Sequence, residues 1–142
     1  MRILLADDQA KVRSALRLLV EQELGLNVVG EALEVEDLLA QVRADCPDLV
    51  LLDWELPDRR AGDPSKAPGP GSRQGRGKEL LSSLRTLRPH LLVVALSSQP
   101  EARQSALAAG VNAFVSKGDP PEQLLTTIVD CRRKQQRAKS SS

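Results

Sequence analysis

The chain has 142 residues, enough to bury one core without disulfide or metal staples. Hydrophobic residues make up 41% of it and aromatic residues 1%, so the core is aliphatic and an aromatic platform for stacking single-stranded nucleic acid is excluded. The formal net charge of +1 gives no global attraction to nucleic acid or to a membrane surface.

In chain order, Ile3-Leu4-Leu5-Ala6 is a short apolar run that ends in Asp7-Asp8. Val12, Ala15, Leu16, Leu19 and Val20 then recur at helical spacing until Gly25. Asn27-Val28-Val29-Gly30 reads as a second strand. Val35, Leu38, Leu39 and Val42 mark a second helix, stopped before Pro47. Leu49-Val50-Leu51-Leu52 is apolar on both faces, as a central parallel strand should be. Leu80, Leu81, Leu84 and Leu87 give a third helix, ended by Pro89, and Leu91 to Leu96 a fourth strand. An alanine-rich helix from about Pro100 stops at Gly110, and Asn112-Ala113-Phe114-Val115 is the fifth strand. Pro120-Pro121 opens a last helix through Leu124, Leu125, Ile128 and Val129. Five strands alternating with five helices call for an α/β domain with a doubly wound parallel sheet. The count suits the flavodoxin-like order 2-1-3-4-5 in a single domain, here residues 1–130.

Two stretches break the alternation. Residues 58–76, after Pro57, are rich in proline, glycine and arginine without periodicity, and read as a flexible insertion in the loop after strand 3. Gly75-Arg76-Gly77-Lys78 hints at a phosphate-binding loop, but Ser72 stands where that motif needs glycine and Glu79 where it needs Ser or Thr. Residues 131–142 read as a basic, serine-rich tail with Arg132, Arg133, Lys134, Arg137 and Lys139. The remaining body is acidic. Cys46 and Cys131 have no ligand spacing to each other or to His90 and read as packing or surface thiols, compatible with a reducing cytoplasm. No apolar run is long enough to suggest a membrane span or signal peptide.

In a doubly wound sheet, sites gather outside the carboxyl ends of the strands. Strand one ends in Asp7 and Asp8, strand three in Asp53, strand four in Ser97 and strand five in Lys117. In the order 2-1-3-4-5 these strands are neighbours, so five polar side chains converge on one edge. Clustered carboxylates repel one another and invite a hard divalent cation such as magnesium. One of them can attack phosphorus to form an acyl phosphate, while a lysine and a hydroxyl serve the phosphoryl oxygens. Each residue alone has a plainer reading, since strand-end Asp and Ser commonly cap turns and helices. The coincidence of all five favours chemistry.

At these residues the chain resembles the response-regulator receiver family. The motifs are Leu5-Ala6-Asp7-Asp8, Leu51-Leu52-Asp53-Trp54-Glu55-Leu56-Pro57, Ala95-Leu96-Ser97-Ser98, Ala108-Ala109-Gly110-Val111-Asn112-Ala113-Phe114 and Val115-Ser116-Lys117, covering about residues 1–130. The resemblance implies a two-component signalling switch that catalyses only its own phosphorylation and dephosphorylation, and is otherwise no enzyme. Asp53 would accept a phosphoryl group from a histidine kinase, a phosphotransfer protein or a small phosphodonor. Asp7, Asp8, Asp53 and the backbone carbonyl of Glu55 would hold magnesium. Ser97 and Lys117 would bind the phosphoryl group, and Phe114 would be the aromatic switch, against the plainer reading of a core ring. The implied partners are proteins, a kinase upstream and a target downstream, with no direct nucleic acid and no membrane. A homodimer would form through the face of helix 4, strand 5 and helix 5.

Departures from the family pattern leave alternatives open. The insertion lengthens the loop beside Asp53, and Gly118-Asp119-Pro120 follows Lys117 where many members have proline directly. Glu55 occupies a position that tunes phosphoryl lifetime in the family, with an effect the sequence does not sign. An output domain is not legible, so the expectation is a stand-alone receiver or one separated from its output. The rival readings are an aspartyl-phosphate phosphohydrolase and a receiver-like scaffold that is never phosphorylated.

Overall fold

Alternate residues of the three central strands face opposite sides of one sheet, and both sides are apolar, so helices must cover both. The computed structural model describes residues 1–56 and 72–140. In it β1 (Arg2–Ala6), β2 (Asn27–Ala32), β3 (Leu49–Asp53), β4 (Leu92–Ser97) and β5 (Ala113–Ser116) pair in parallel in the order β2-β1-β3-β4-β5. This is the doubly wound, flavodoxin-like order expected from the alternation. The helices are α1 (Ala10–Glu21), α2 (Val35–Asp45), α3 (Ser72–Leu87), α4 (Ala102–Ala109) and α5 (Pro121–Ser140).

Leu4, Ala6, Val50, Leu52, Val93 and Ala95 face α2, α3 and α4, where they meet Leu38, Val42, Leu81, Leu84 and Ala106. Ile3, Leu5, Leu49, Leu51, Val94 and Leu96 face α1 and α5, where they meet Val20, Leu124, Ile128 and Cys131. Every residue of β3 is buried, whereas edge strands β2 and β5 are mostly half-buried. Each fully buried leucine or isoleucine contributes about 1.5–3 kcal/mol against exposure, so the central strands anchor the sheet.

Termination signals act as the sequence suggests. Gly110 ends α4 at φ +109, its N–H turned back to Ala106 and Leu107. Cys46 ends α2 in the same left-handed region at φ +51, unusual for a residue with a Cβ. Two boundaries differ from expectation. α3 begins at Ser72, so the last residues of the stretch 58–76 are helical. No proline follows Pro70 there, and Arg, Gln, Lys and Glu are good helix formers that outweigh Gly75 and Gly77. α5 runs to Ser140, so most of 131–142 continues the helix. Neither glycine nor proline interrupts it after Pro121, and Cys131, only 6% exposed, belongs to the core. The rest of the expected insertion, 58–71, lies with Pro57 and the final 141–142 outside the described residues.

Candidate functional site

Backbone bonds at the carboxyl ends tie β1 to β2 and tie β3 and β5 to β4. Asp7 N–H donates to the Ala32 carbonyl at 3.0 Å, Trp54 N–H to Leu96 at 2.7 Å, and Lys117 N–H to Ser97 at 2.8 Å. These bonds extend the ladders past the apolar runs and hold the polar residues that follow. Asp7 and Asp53 are therefore buried despite their charge, 1% and 4% exposed, while Asp8 is exposed.

Asp7 uses one carboxylate oxygen, Oδ1, to accept the Gln9 N–H at 2.9 Å, which supports the entry to α1 where Gln9 itself offers no cap. Its other oxygen, Oδ2, is buried and accepts no aligned hydrogen bond from the described residues. What faces it is the Lys117 ammonium at 3.0 Å, an ion pair without good hydrogen-bond geometry. The same ammonium lies 3.3 Å from Asp53 Oδ1, which also accepts the Glu55 N–H at 3.0 Å. Asp7, Asp8 and Asp53 each offer a carboxylate oxygen within 4.8 Å of the others. The donor set fits the magnesium that the resemblance implies. It consists of hard oxygens, carries more charge than one lysine offsets, and includes a buried oxygen, Asp7 Oδ2, held by the Lys117 charge without an aligned hydrogen bond.

Electrostatics follow from this crowding. Burial pushes the Asp53 carboxyl up to about 6, against the pull of the Glu55 N–H and Lys117 and with further push from Asp7 and Glu55. Burial pulls Lys117 down, but its close contact with the Asp7 carboxylate and the charges of Asp53 and Asp7 outweigh that and leave it above its ordinary value. Asp53 is thus a shielded carboxyl group with a cation in contact.

Ser97, fully buried at the end of β4, does not face an empty space. Its Oγ donates to Glu55 Oε1 at 2.7 Å, lies 3.3 Å from the Gln99 carbonyl, and accepts the Gln99 N–H at 3.0 Å. Phe114 is half-buried on β5, in register with Ala95 and packed against the face that carries α2, α3 and α4. The structure therefore brings Asp7, Asp8, Asp53 and Lys117 into one cluster and joins Ser97 to it through Glu55.

Three contacts escaped the sequence reading. Ser97 donates to the Glu55 carboxylate, whose other oxygen, Oε2, is buried and has no hydrogen-bond partner among the described residues. Arg13 on α1 donates to the Asp7 carbonyl at 2.8 Å and pairs with Glu31 on β2, which also takes Arg17. The Arg17 hydrogen bond, with Arg13 assisting, holds the Glu31 carboxyl below its ordinary range despite partial burial. Trp54, next to Asp53, lays its ring on Gly77 of α3. Arg13 and Glu31 are complementary charges on adjacent elements, a signal available in sequence once the strand order is known.

Residues 3–64 match the family model described as the response regulator receiver domain. Over 92% of its length the chain is 32% identical to the DNA-binding transcriptional activator DevR/DosR of Mycobacterium tuberculosis, covering 54% of that protein. It is 27% identical to the response regulator UvrY of Escherichia coli over 90% of this chain and 52% of that one. The chain thus spans about half the length of the curated relatives it matches. Among solved structures, a CheY-like receiver domain protein from Methanospirillum hungatei superposes with a TM-score of 0.75 at 26% identity, covering 96% of this chain and 97% of that one.

Proposed function

We infer, for a chain that belongs to the response-regulator receiver family of two-component signalling, that Asp53 accepts a phosphoryl group and that this switches a protein-interaction surface. The observation that carries the reading is the buried Asp53 carboxylate, joined by Asp7 and Asp8 and paired with Lys117 at 3.3 Å. An Asp53 carboxylate oxygen attacks the phosphorus of an acyl phosphate or phosphohistidine. The new P–O bond forms as the bond to the donor's oxygen or nitrogen breaks, and the leaving group keeps the electron pair. Asp7, Asp8, Asp53 and the Glu55 carbonyl would hold magnesium, which when bound offsets the charge between the carboxylates and the incoming phosphoryl group. Lys117 stays beside the phosphoryl oxygens as a fixed positive charge, and the Ser97 hydroxyl turns to donate to one of them. Phe114, one residue beyond the partner of Val94 on β5, follows that turn of Ser97 inward.

The phosphodonor is a sensor histidine kinase, a phosphotransfer protein or a small acyl phosphate, and the readout is a downstream protein target or a homodimer through α4, β5 and α5. The DNA binding for which DevR/DosR is named is not carried over, because the match covers about half of that protein. A cytoplasmic location goes with this reading, since histidine kinases present their phosphoryl groups there and free thiols such as Cys46 and Cys131 persist there. Among the described residues no helix is long and apolar enough to cross a membrane.

Incubation with acetyl phosphate and magnesium, followed by intact-mass measurement, tests the reading. The expected result is one phosphoryl adduct per chain, lost in Asp53→Asn. Sustained turnover of phosphate monoesters would instead favour a phosphohydrolase, and absence of any adduct a scaffold that is never phosphorylated.

A further inference from the structure

The Ser97 hydroxyl has one proton to donate, and in this structure Glu55 takes it. The Oγ–Oε1 distance of 2.7 Å against 3.3 Å to the Gln99 carbonyl, and the charge on the carboxylate, decide the competition in favour of Glu55. Ser97 is fully buried, so water cannot substitute as the acceptor. The Gln99 N–H fills the acceptor side of the same oxygen at 3.0 Å. A phosphoryl oxygen that is to receive the Ser97 proton therefore has to displace the Glu55 carboxylate.

The displacement is set up to be easy. Glu55 Oε2 is buried with no hydrogen-bond partner among the described residues, so the resting carboxylate is held there by one oxygen only. Glu55 is only half-buried, so its side chain has a way out to solvent. Its backbone does not have to move, because the Glu55 N–H stays on Asp53 Oδ1 in the turn closed by Leu56 N–H to the Asp53 carbonyl.

We propose that the Glu55 carboxylate is a gate on the phosphoryl site: in the resting protein it occupies the Ser97 donor as an internal stand-in for a phosphoryl oxygen, and it must swing out before Asp53 is phosphorylated and sensed. This deepens the reading of Asp53 as phosphoacceptor and rests on it. Glu55 acts here as a positioning residue, through the Ser97 hydroxyl, and makes anionic phosphodonors and anionic phosphoryl mimics compete with it.

The test uses the full chain in six forms: wild type, Glu55→Ala, Glu55→Gln, Ser97→Ala and the two double variants. Intact-mass time courses with acetyl phosphate and magnesium give the rate of Asp53 modification, and Trp54 emission gives the apparent affinity for beryllofluoride. Glu55→Ala should quicken modification and tighten beryllofluoride by about tenfold, the size of one charge-assisted hydrogen bond that no longer has to be broken. Glu55→Gln, which keeps an acceptor without the charge, should fall between. In the Ser97→Ala background the gain from Glu55→Ala should shrink to less than about half, because nothing then holds the carboxylate in the site. An equal gain in both backgrounds would show charge acting through space and overturn the gate, as would no gain in either. Damage to the turn from substitution would lower the rate rather than raise it, and would not depend on Ser97. Wild type without any adduct on Asp53 would fail the phosphoacceptor reading itself, whereas a wild-type adduct with no Ser97-dependent gain fails the gate alone.

Discussion

Asp53 holds its proton more tightly in the folded chain than in the unfolded one. Burial leads, and Asp7 and Glu55 add to it, so the carboxyl moves from 3.8 to about 6. Below about pH 4 both states carry the proton and nothing is lost. As pH rises through this window the unfolded chain releases the proton first, so stability falls, and above about pH 6 the full penalty is present. A tenfold change in proton affinity is worth about 1.4 kcal/mol, so in metal-free buffer at pH 7.5 Asp53→Asn should be more stable than wild type by on the order of 1–3 kcal/mol. The advantage should fade as pH is lowered toward 4. Thermal melts in a chelator across that range are the measurement, and an Asn variant no more stable at pH 7.5 would refute the penalty. At this scale the sequence was informative about Asp7, Asp8, Asp53, Ser97 and Lys117, because each follows an apolar run and a strand end has one place to go. That Glu55 stands beside the site was legible, but the bond from Ser97 to its carboxylate was not. That bond depends on a side-chain rotamer in the turn after Asp53 and on a hydroxyl from β4, and spacing along the chain encodes neither.

Trp54 and Gly77 couple the end of β3 to the first turns of α3. A Cβ on Gly77 would lie 2.4 Å from Trp54 Cζ2, so alanine fits only if the indole moves. Alanine in a helix interior gains up to about 1 kcal/mol over glycine. Overpacking a formed contact costs about 1–3 kcal/mol, and losing the indole contact has a similar effect. The clash wins, so Gly77→Ala should lower stability by about 1 kcal/mol and shift Trp54 emission. Denaturant midpoints followed by fluorescence measure both at once. A higher midpoint with unchanged emission would mean that the ring never packed on this glycine. The contact explains why the element boundaries were harder to read than the elements. Leu80, Leu81, Leu84 and Leu87 announce a helix face, but the turns from Ser72 to Gly77 carry no apolar stripe, and glycines there resemble a loop. The end of α5 misled in the opposite way. Its basic and polar residues look like a tail, yet they are helix formers attached to a buried face that reaches Cys131.

For the molecule as a whole, strand order was the most legible property. Strands apolar on both faces need two helical layers, and right-handed crossovers leave few orders for five of them. That order also concentrates unfavourable charge at one edge, because Asp7, Asp8 and Asp53 all leave neighbouring strands on the same side while Lys117 is the cation in contact with them. A cation that binds the folded edge and not the dispersed carboxylates of the unfolded chain stabilises the whole fold by linkage, about 1.4 kcal/mol at ten times its dissociation constant. Magnesium should therefore raise the melting temperature of wild type. It should raise that of Asp53→Asn or Asp8→Asn much less, since each loses a charged oxygen from the set. Two effects then converge. Asp53→Asn begins ahead in chelator because its repulsion is gone, and wild type gains more from magnesium, so the gap between them should narrow steadily as the ion is added at pH 7.5. Melts of the three proteins over a magnesium titration, with sodium chloride at matched ionic strength as the control, read this directly. Parallel curves for all three would mean that the ion acts as general screening and that the carboxylate edge does not bind it.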